Sequence, residues 1–384
     1  MEKYNLPLYR SWFPFLATGK IWMNHAAISP MSSRVSSVVV QYLHRCAVEE
    51  VDTYLSTVPT IAALKGNLGR LINAQSERIA FAGNTSDGLN VLATGLEWHS
   101  GDRILLNDSE FPSNVVPFIN LKRLGVEVDI ITTHHGEITA NQIERLLTPR
   151  TRLVSLSFVQ FLSGFRADLE SVGDVCRRHH ALFCVDAIQG LGAFPLDVRA
   201  MNIDFLSCGG QKWLMGMHGL GFIYVSDETQ ERIHQAYAGW TSNRNFFSEF
   251  FNYRIDFDAT ARRYENGTQN FAGIAALGES TTMLLEVGIE NIQAHIFQLT
   301  DKVIDTVDEA GFELVTSHDH AKRAGIVTFK CANAQQLFET LKKENIIVSI
   351  REGMIRVSPH FYNSPEEVGA LRSAFIQHRK TKAA

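Results

Sequence analysis

One lysine of this chain has neighbours that suit an amine nucleophile. Lys212 lies in the run Gly209-Gly210-Gln211-Lys212-Trp213, directly after an apolar stretch. Glycines let the backbone turn sharply and come close to a ligand. A lysine drawn into such a pocket loses part of the stabilisation of its charge, which makes its amine a usable nucleophile. The alternative interpretation, which this run alone leaves open, is a glycine-rich turn that carries an exposed lysine.

A second candidate site is a polar run at a strand-to-helix junction. Asn84, Thr85 and Ser86 follow the apolar run 79–81 and precede apolar residues at helical spacing. Hydroxyls and free backbone N–H groups at the start of a helix bind anions, most often phosphate. The alternative is ordinary helix capping, which serine and threonine perform in most proteins.

Asp186 and Arg356 are charged residues in apolar strand patterns. Asp186 ends an apolar run, and Gln189 follows three residues later. A buried carboxylate must be paired, so Asp186 either holds a cationic ring nitrogen or caps the next turn. A buried Arg356 requires an anion, which is either a substrate carboxylate or a partner in a structural ion pair. Phe111 could stack on a planar ligand, although an isolated aromatic residue more often belongs to the core.

Composition restricts the class of protein. The 384 residues carry a net charge of -5, which argues against a nucleic-acid binder held by phosphate neutralisation. Five cysteines without C-x-x-C spacing indicate reduced thiols, and no histidine pair has metal-ligand spacing, so no metal is expected. No stretch resembles a signal peptide or a membrane span. We therefore expect a cytoplasmic protein that does not act at a membrane.

The pattern along the chain predicts an α/β fold with two domains. Seven short apolar runs alternate with helical stretches up to residue 225, which is typical of a mostly parallel sheet covered on both faces. Ligands of such sheets lie beyond the carboxyl ends of the strands, where Thr85, Asp186, Gln189 and Lys212 fall. Three units are predicted. Residues 1–20 form an N-terminal arm that packs on the small domain, residues 21–272 form the large domain, and residues 273–384 form a smaller α+β domain.

Together these motifs resemble the class V aminotransferases, a family of pyridoxal 5'-phosphate (PLP) enzymes of fold type I that includes cysteine desulfurases, kynureninases and isopenicillin N epimerase. The resemblance spans roughly residues 22–363. It implies that Lys212 carries PLP as a Schiff base and that Asp186 pairs with the pyridine nitrogen. It places Gln189 near the ring hydroxyl and Phe111 over the ring. It also assigns the phosphate to the run 84–86.

The same resemblance implies the remaining site residues and a partner. Arg356 would bind the substrate carboxylate, with Asn24 and His25 also at the substrate and Gln211 at the cofactor. The loop with Gly267 and Thr268 would reach the phosphate site of a partner subunit, which makes the protein a homodimer.

Three departures from the cysteine desulfurases narrow the expected activity. The segment 351–355 has no cysteine, Gln211 replaces their histidine before the lysine, and their asparagine is not evident in 157–160. We therefore expect an enzyme of α-amino acids, with transamination as the main reaction. The alternatives are a PLP-dependent lyase, an epimerase or a non-catalytic module of the same fold. The sequence leaves the substrate open.

Overall fold

The apolar runs that the sequence predicts as strands form one seven-stranded sheet. A computed structural model describes residues 4–251 and 253–383, so residues 1–3 of the predicted arm and residue 384 of the predicted small domain lie outside the described residues. In chain order the strands are β1 Ile21–Trp22, β2 Ile79–Ala82, β3 Arg103–Asn107, β4 Glu127–Ile131, β5 Thr151–Ser157, β6 Leu182–Asp186, β7 Phe205–Gly209, β8 Gly221–Val225, β9 Glu313–Leu314, β10 Val327–Lys330, β11 Ile346–Ile347, β12 Ser349–Arg351 and β13 Met354–Val357.

Helices cover both faces of this sheet and build most of the rest of the chain. In chain order they are α1 Leu6–Ser11, α2 Ser33–Val48, α3 Tyr54–Ile72, α4 Thr85–Gly95, α5 Val116–Ile119, α6 Ala140–Leu146, α7 Leu169–Arg178, α8 Asp227–Arg232, α9 Phe271–Val287, α10 Ile289–Glu309, α11 Ala334–Lys343 and α12 Pro365–Ala383. No helix in the described ranges combines the length and apolar character that crossing a bilayer requires. The cytoplasmic location stays a prediction.

The large sheet has the order β2-β8-β7-β6-β5-β3-β4. β8 runs antiparallel to both of its neighbours, and the other adjacent pairs are parallel. Successive residues of a strand point to opposite faces. Accordingly, Leu105 belongs to one hydrophobic cluster, and Ile104 and Leu106 belong to the other. Burial on both faces explains why these strands read as nearly continuous apolar runs, and the predicted mostly parallel seven-stranded sheet is confirmed.

A smaller antiparallel sheet of order β12-β13-β10-β9 lies in the C-terminal part of the chain. β1 adds to this part, because it pairs in parallel with β11 and Asn24 forms a bridge with Ser358. The predicted boundary after residue 272 falls inside α9, which packs against α2 and α3. The domain boundaries stay a prediction.

The described part of the N-terminal arm contacts the segment between β13 and α12. The hydroxyl of Tyr4 donates to the Phe361 carbonyl oxygen at 2.5 Å, and Arg10 donates to the Tyr362 carbonyl oxygen at 2.9 Å. Arg10 also forms an ion pair of 2.9 Å with Glu367. These contacts tie the chain start to a segment that follows the strand carrying Arg356.

Candidate functional site

Lys212 follows the carboxyl end of β7 and presents an amine without a partner. Its Nζ lies 5.6 Å from the ring centre of Phe111, and no residue of the described chain forms a hydrogen bond or ion pair with it. Burial lowers the pKa of Lys212 to about 8, against the opposing effect of the Asp186 charge. A fraction of the amine is therefore neutral near physiological pH, which is the state a nucleophile or base requires.

The backbone around this lysine is held from two sides. The Lys212 carbonyl oxygen accepts a hydrogen bond of 2.5 Å from the Ser29 hydroxyl. Helix α4 packs so close to β7 that a Cβ atom on Gly88 would lie 2.3 Å from the Ser207 Oγ atom. Only glycine permits that approach, and it brings the start of α4 next to the lysine segment.

Asp186 ends β6 and is a buried carboxylate that forms no ion pair with a described residue. It is 2% exposed, and its Oδ1 accepts a hydrogen bond of 3.0 Å from the Ile188 N–H. Within the described ranges no lysine, arginine or histidine forms an ion pair with it. Burial raises the pKa of Asp186 to about 7, and the charge of Glu110 adds to that effect. A buried acid in this state can bind a cationic nitrogen of a ligand.

Glu110 is a buried residue of the site that sequence reasoning did not identify. Both of its carboxylate oxygens accept hydrogen bonds, but no cation of the described residues pairs with it. The donors are Asn107 Nδ2 at 2.6 Å, Gln160 Nε2 at 2.8 Å, Asn114 Nδ2 at 2.9 Å, Ser157 N at 2.9 Å and Ser157 Oγ at 2.5 Å. These bonds hold the backbone just before Phe111. The available signal in the sequence was an acidic residue directly before the candidate stacking residue, with Asn107 before it and Asn114 after it.

The predicted anion site lies at the start of α4. Asn84 caps the helix, since its Oδ1 accepts from the Asp87 N–H at 3.0 Å and its Nδ2 donates to the Asp87 carboxylate at 2.8 Å. Thr85 Oγ1 accepts from the Gly209 N–H at 3.0 Å, which joins the helix start to the end of β7. Ser86 Oγ donates to Ser113 Oγ at 2.9 Å. The capping alternative thus holds for Asn84, which occupies the Asp87 N–H, and the Thr85 and Ser86 N–H groups are left for an anion.

Gln189 and His25 have their polar atoms engaged within the protein. Gln189 Nε2 donates to the Ala26 carbonyl oxygen at 3.0 Å, and its Oε1 accepts from Trp213 Nε1 at 2.9 Å. His25 Nδ1 lies 2.9 Å from the Ser358 carbonyl oxygen, and Nε2 lies 3.0 Å from the Tyr362 hydroxyl. These bonds brace the segment beside Lys212. They leave His25 without a free ring nitrogen for the substrate contact that the sequence predicts.

Two buried side-chain amide oxygens lack a hydrogen-bond partner within the described residues. They are Asn24 Oδ1 and Gln160 Oε1. Gln160 shares Glu110 with Asn107, and Asn24 precedes His25 in the chain. An unpaired buried acceptor is costly, so each is suited to receive a donor from a ligand.

Arg356 is a buried guanidinium that bonds only neutral groups of the described chain. It is 2% exposed, Nε donates to Ser349 Oγ at 3.2 Å, and Nη1 donates to the Phe161 carbonyl oxygen at 2.6 Å. The alternative of a structural ion pair is not seen in the described chain. Burial lowers the pKa of Arg356 to about 9, and the charge of Arg351 adds to this. An anionic ligand would relieve the cost of burying this charge.

The remaining predicted residues lie in two loops. No hydrogen bond or ion pair of the described residues joins Gly267 or Thr268 to Lys212, Asp186 or Arg356. Next to these glycine and threonine residues, Glu265 forms an ion pair of 2.7 Å with Lys65 and accepts from the Phe81 N–H at 3.0 Å.

Gln211 is half-buried beside Lys212, and its carbonyl oxygen accepts from the Ser29 N–H at 3.2 Å. The structure thus places Gln211 with the lysine. Its contact with a cofactor stays a prediction, as does the cofactor role of the other site residues.

Known proteins resemble this chain in sequence. The family model for aminotransferase class V matches residues 21–371. An uncharacterized aminotransferase of Bacillus subtilis is 25% identical over 360 residues, which are 94% of each chain. A probable cysteine desulfurase of Methanothermobacter thermautotrophicus is 29% identical over 319 residues, which cover 78% of this chain and 79% of the relative.

Solved structures show the same fold. The apo structure of a cysteine desulfurase from Thermococcus onnurineus superposes with a TM-score of 0.89 at 23% identity and covers 100% of both chains. A cystine C-S lyase, C-DES, in complex with its product cysteine persulfide, superposes with a TM-score of 0.86 at 23% identity over 94% of this chain and 98% of that chain. The predicted fold class is confirmed by these likenesses.

Proposed function

This chain belongs to the aminotransferase class V family, as its sequence predicts, and we propose that it is a PLP-dependent enzyme that transfers the amino group of an α-amino acid. One observation carries the proposal. The amine of Lys212 faces Phe111, and neither this amine nor the buried carboxylate of Asp186 forms an ion pair with any described residue. Ionisable groups with such shifted pKa values cluster at functional sites, which favours a ligand-binding site over a scaffold without a ligand.

The residues present fit PLP. Lys212 offers a free amine for a covalent bond, Asp186 offers a carboxylate for the pyridine nitrogen, and the first turn of α4 with Thr85 and Ser86 offers N–H and hydroxyl groups for the phosphate. Phe111 is 41% exposed, so its ring can cover a planar group. When bound, PLP supplies an electron sink that stabilises negative charge at the substrate Cα.

Each of three side chains then has a defined task. Arg356 binds the α-carboxylate through its guanidinium, which fixes the orientation of the bonds at Cα. Lys212 Nζ would remove the proton from Cα and deliver it to the cofactor carbon that carries the substrate nitrogen, as amino-group transfer requires, and its pKa of about 8 suits both transfers. Asp186 holds a proton on the ring nitrogen of the cofactor, because that pairing compensates its own buried charge.

The turn before β13 argues against a sulfur-transfer route through a loop cysteine. Glu352 and Gly353 form a two-residue turn with φ values of 48° and 73° between β12 and β13. This short turn carries no cysteine. The alternatives to transamination are therefore elimination without a protein persulfide, or epimerisation. Both would use the same lysine, aspartate and arginine, so these residues do not separate the reactions.

A panel of amino acids tests the reaction type. Purified holoenzyme is incubated with each amino acid, with and without an oxo-acid acceptor, while cofactor absorbance and products are recorded. Transamination predicts repeated turnover to an oxo acid and a new amino acid only when the acceptor is present, and at most one oxo acid per active site without it. Release of ammonia without an acceptor would assign a lyase, and inversion at Cα would assign an epimerase. An unchanged spectrum with every amino acid would reject the enzyme in favour of a non-catalytic module.

The proposal includes a homodimer in which the loop with Gly267 and Thr268 reaches the partner's phosphate site. Two exposed apolar stretches, residues 40–55 and 247–255, support the homodimer. Tyr54 of the first stacks with Phe247 of the second at a ring separation of 5.2 Å, so the two stretches are adjacent. Their most exposed apolar residues are Val40, Leu43, Val48, Val51, Leu55, Phe250, Phe251, Tyr253 and Ile255. Apolar surface of this extent is typical of protein interfaces. Sedimentation of the holoenzyme should give a dimer, and a monomer with full cofactor occupancy would contradict the proposal.

A further inference from the structure

The hairpin that carries Arg356 places a second arginine on the same face. Ser349 of β12 is the cross-strand partner of Arg356, and Arg351 is the partner of Met354. Cross-strand partners point to the same face of a sheet, and so do residues two apart on one strand. Arg351 therefore projects from the face on which Arg356 bonds Ser349 Oγ. The two-residue turn with positive φ at both positions sets this register.

Arg351 carries a charge that no carboxylate in the described part of the chain neutralises. It is exposed, and its Nη1 donates to the carbonyl oxygen of its own neighbour, Ile350, at 2.8 Å. Its positive charge depresses the pKa of Arg356, second to burial, and contributes in the same direction to the lowered pKa of Lys212. Arg351, Arg356 and Lys212 thus share one electrostatic environment, although they come from separate segments.

We propose that Arg351 binds a carboxylate on the substrate side chain, so that the enzyme acts on acidic α-amino acids. The inference rests on the proposed function, in which Arg356 holds the α-carboxylate. Diagonal neighbours on one face of a hairpin have Cα atoms roughly 7–8 Å apart, within reach of long side chains. Two long arginine side chains that start from Cα atoms at that spacing can reach the two carboxylates of an amino acid with one or two methylenes before its second carboxylate. Arginine suits this task because its planar fork binds carboxylates in a bidentate manner.

The contact with Arg351 would favour acidic substrates by strengthening their binding, without weakening the binding of neutral amino acids. An exposed guanidinium remains hydrated beside a neutral substrate, so neutral amino acids lose little. An acidic substrate gains charge-assisted hydrogen bonds at the rim of the site. Selectivity should therefore appear as a higher kcat/KM for acids than for their amides of the same shape.

Matched substrate pairs test the inference. The ratio of kcat/KM for glutamate over glutamine, and for aspartate over asparagine, is measured for the holoenzyme and its variants. We expect ratios of roughly 10 or more in the parent and near 1 in Arg351→Gln, with Arg351→Lys in between. Arg145→Gln removes an exposed arginine from α6 as a matched control and should keep the parent ratio. Equal ratios in the parent and Arg351→Gln would overturn the inference.

A binding measurement separates failure of this inference from failure of the proposed function. Succinate should raise the melting temperature of the protein more than butyrate does, and Arg351→Gln should abolish the difference. An enzyme that turns over neutral amino acids with ratios independent of Arg351 refutes only the acidic specificity. A protein without amino-acid turnover refutes the proposed function. In that case, equal effects of succinate and butyrate would also refute the role of Arg351.

Discussion

The amine of Lys212 lies 5.6 Å from the ring centre of Phe111, although the two residues follow strands that are not neighbours. Phe111 follows β3 and Lys212 follows β7, and β5 and β6 lie between those strands in the sheet. The contact therefore spans the strand end that carries Asp186. This relationship assembles a base, an aromatic ring and a buried acid at one edge of the sheet.

Replacing the lysine should remove both covalent attachment and catalysis. Lys212→Ala is expected to lower kcat by roughly 100- to 10,000-fold, because the proton at Cα loses its base. Borohydride reduction of the parent holoenzyme should fix the cofactor on the peptide with residue 212, and mass spectrometry of the variant should find none. Lys322→Ala, at an exposed lysine, is the control. Full activity in Lys212→Ala would contradict the mechanism.

Replacing Asp186 by a neutral residue should lower activity but remove a pH-dependent loss of stability. Burial raises its pKa from 3.8 to about 7, so the folded cofactor-free chain loses stability as pH rises through that interval. Asp186→Asn should remove this loss, at most about 4 kcal/mol, while kcat falls by roughly 100-fold or more. Urea unfolding at pH 5 and pH 8 measures the first effect. A variant whose stability relative to the parent is the same at both pH values would argue against a buried, cation-free carboxylate.

Two buried histidines should make the protein sensitive to mild acid. Burial lowers the pKa of His25 from 6.5 to about 3, and the pKa of His360 also lies well below 6.5. Their contribution is present above pH 6.5 and is lost as pH falls towards 3, because the unfolded chain takes up the protons. Asp186 acts in the opposite direction, so a variant comparison is required.

His25→Gln provides that comparison. The variant should be less stable than the parent at pH 7.5, since it loses the bonds to Ser358 and Tyr362. Below pH 6.5 the gap should shrink by up to about 1.4 kcal/mol per pH unit, because only the parent still excludes this proton. Denaturant midpoints at pH 7.5, 6.5 and 5.5 measure the gap. A gap that does not change with pH would show that His25 is not held neutral.

The ion pair between Lys65 and Glu265 should show strong coupling. Both side chains are largely buried. Glu265, which directly precedes the loop with Gly267, also accepts a hydrogen bond from the Phe81 N–H. Lys65→Met leaves the carboxylate buried without a cation and should cost about 3 kcal/mol. The double variant Lys65→Met/Glu265→Gln should recover most of that loss in urea unfolding. Additive effects of the two substitutions would mean that the pair is not coupled.

Local patterns carried much of the prediction. Apolar runs, turn residues and helix caps depend on neighbours in the chain, so the seven strands could be predicted without long-range information. For example, Thr139 caps α6 through a reciprocal pair of hydrogen bonds with Gln142, three residues further along the chain. Asp186 and Arg356 could be singled out because a charge within an apolar run needs an explanation wherever it lies. Lys212 could be singled out because glycines precede it directly after an apolar run.

The tertiary structure decided which polar groups remain free. Glu110 draws its hydrogen bonds from residues up to 50 positions away, so no local pattern reveals that it is buried. Gln189 and His25 resemble ligand-binding residues in sequence, but their polar atoms bond Trp213, Tyr362 and backbone carbonyls.

The same division holds for the charged groups of the site. The amino-acid sequence by itself determined the residue types, their order and the strand ends that carry them, because periodicity and turn chemistry are local. Only the tertiary structure decided that Lys212, Asp186 and Arg356 form no ion pair with the described residues and that Arg351 shares a face with Arg356. Pairing and facing depend on contacts between segments that are distant in the chain, and such contacts leave no periodic signal in the sequence.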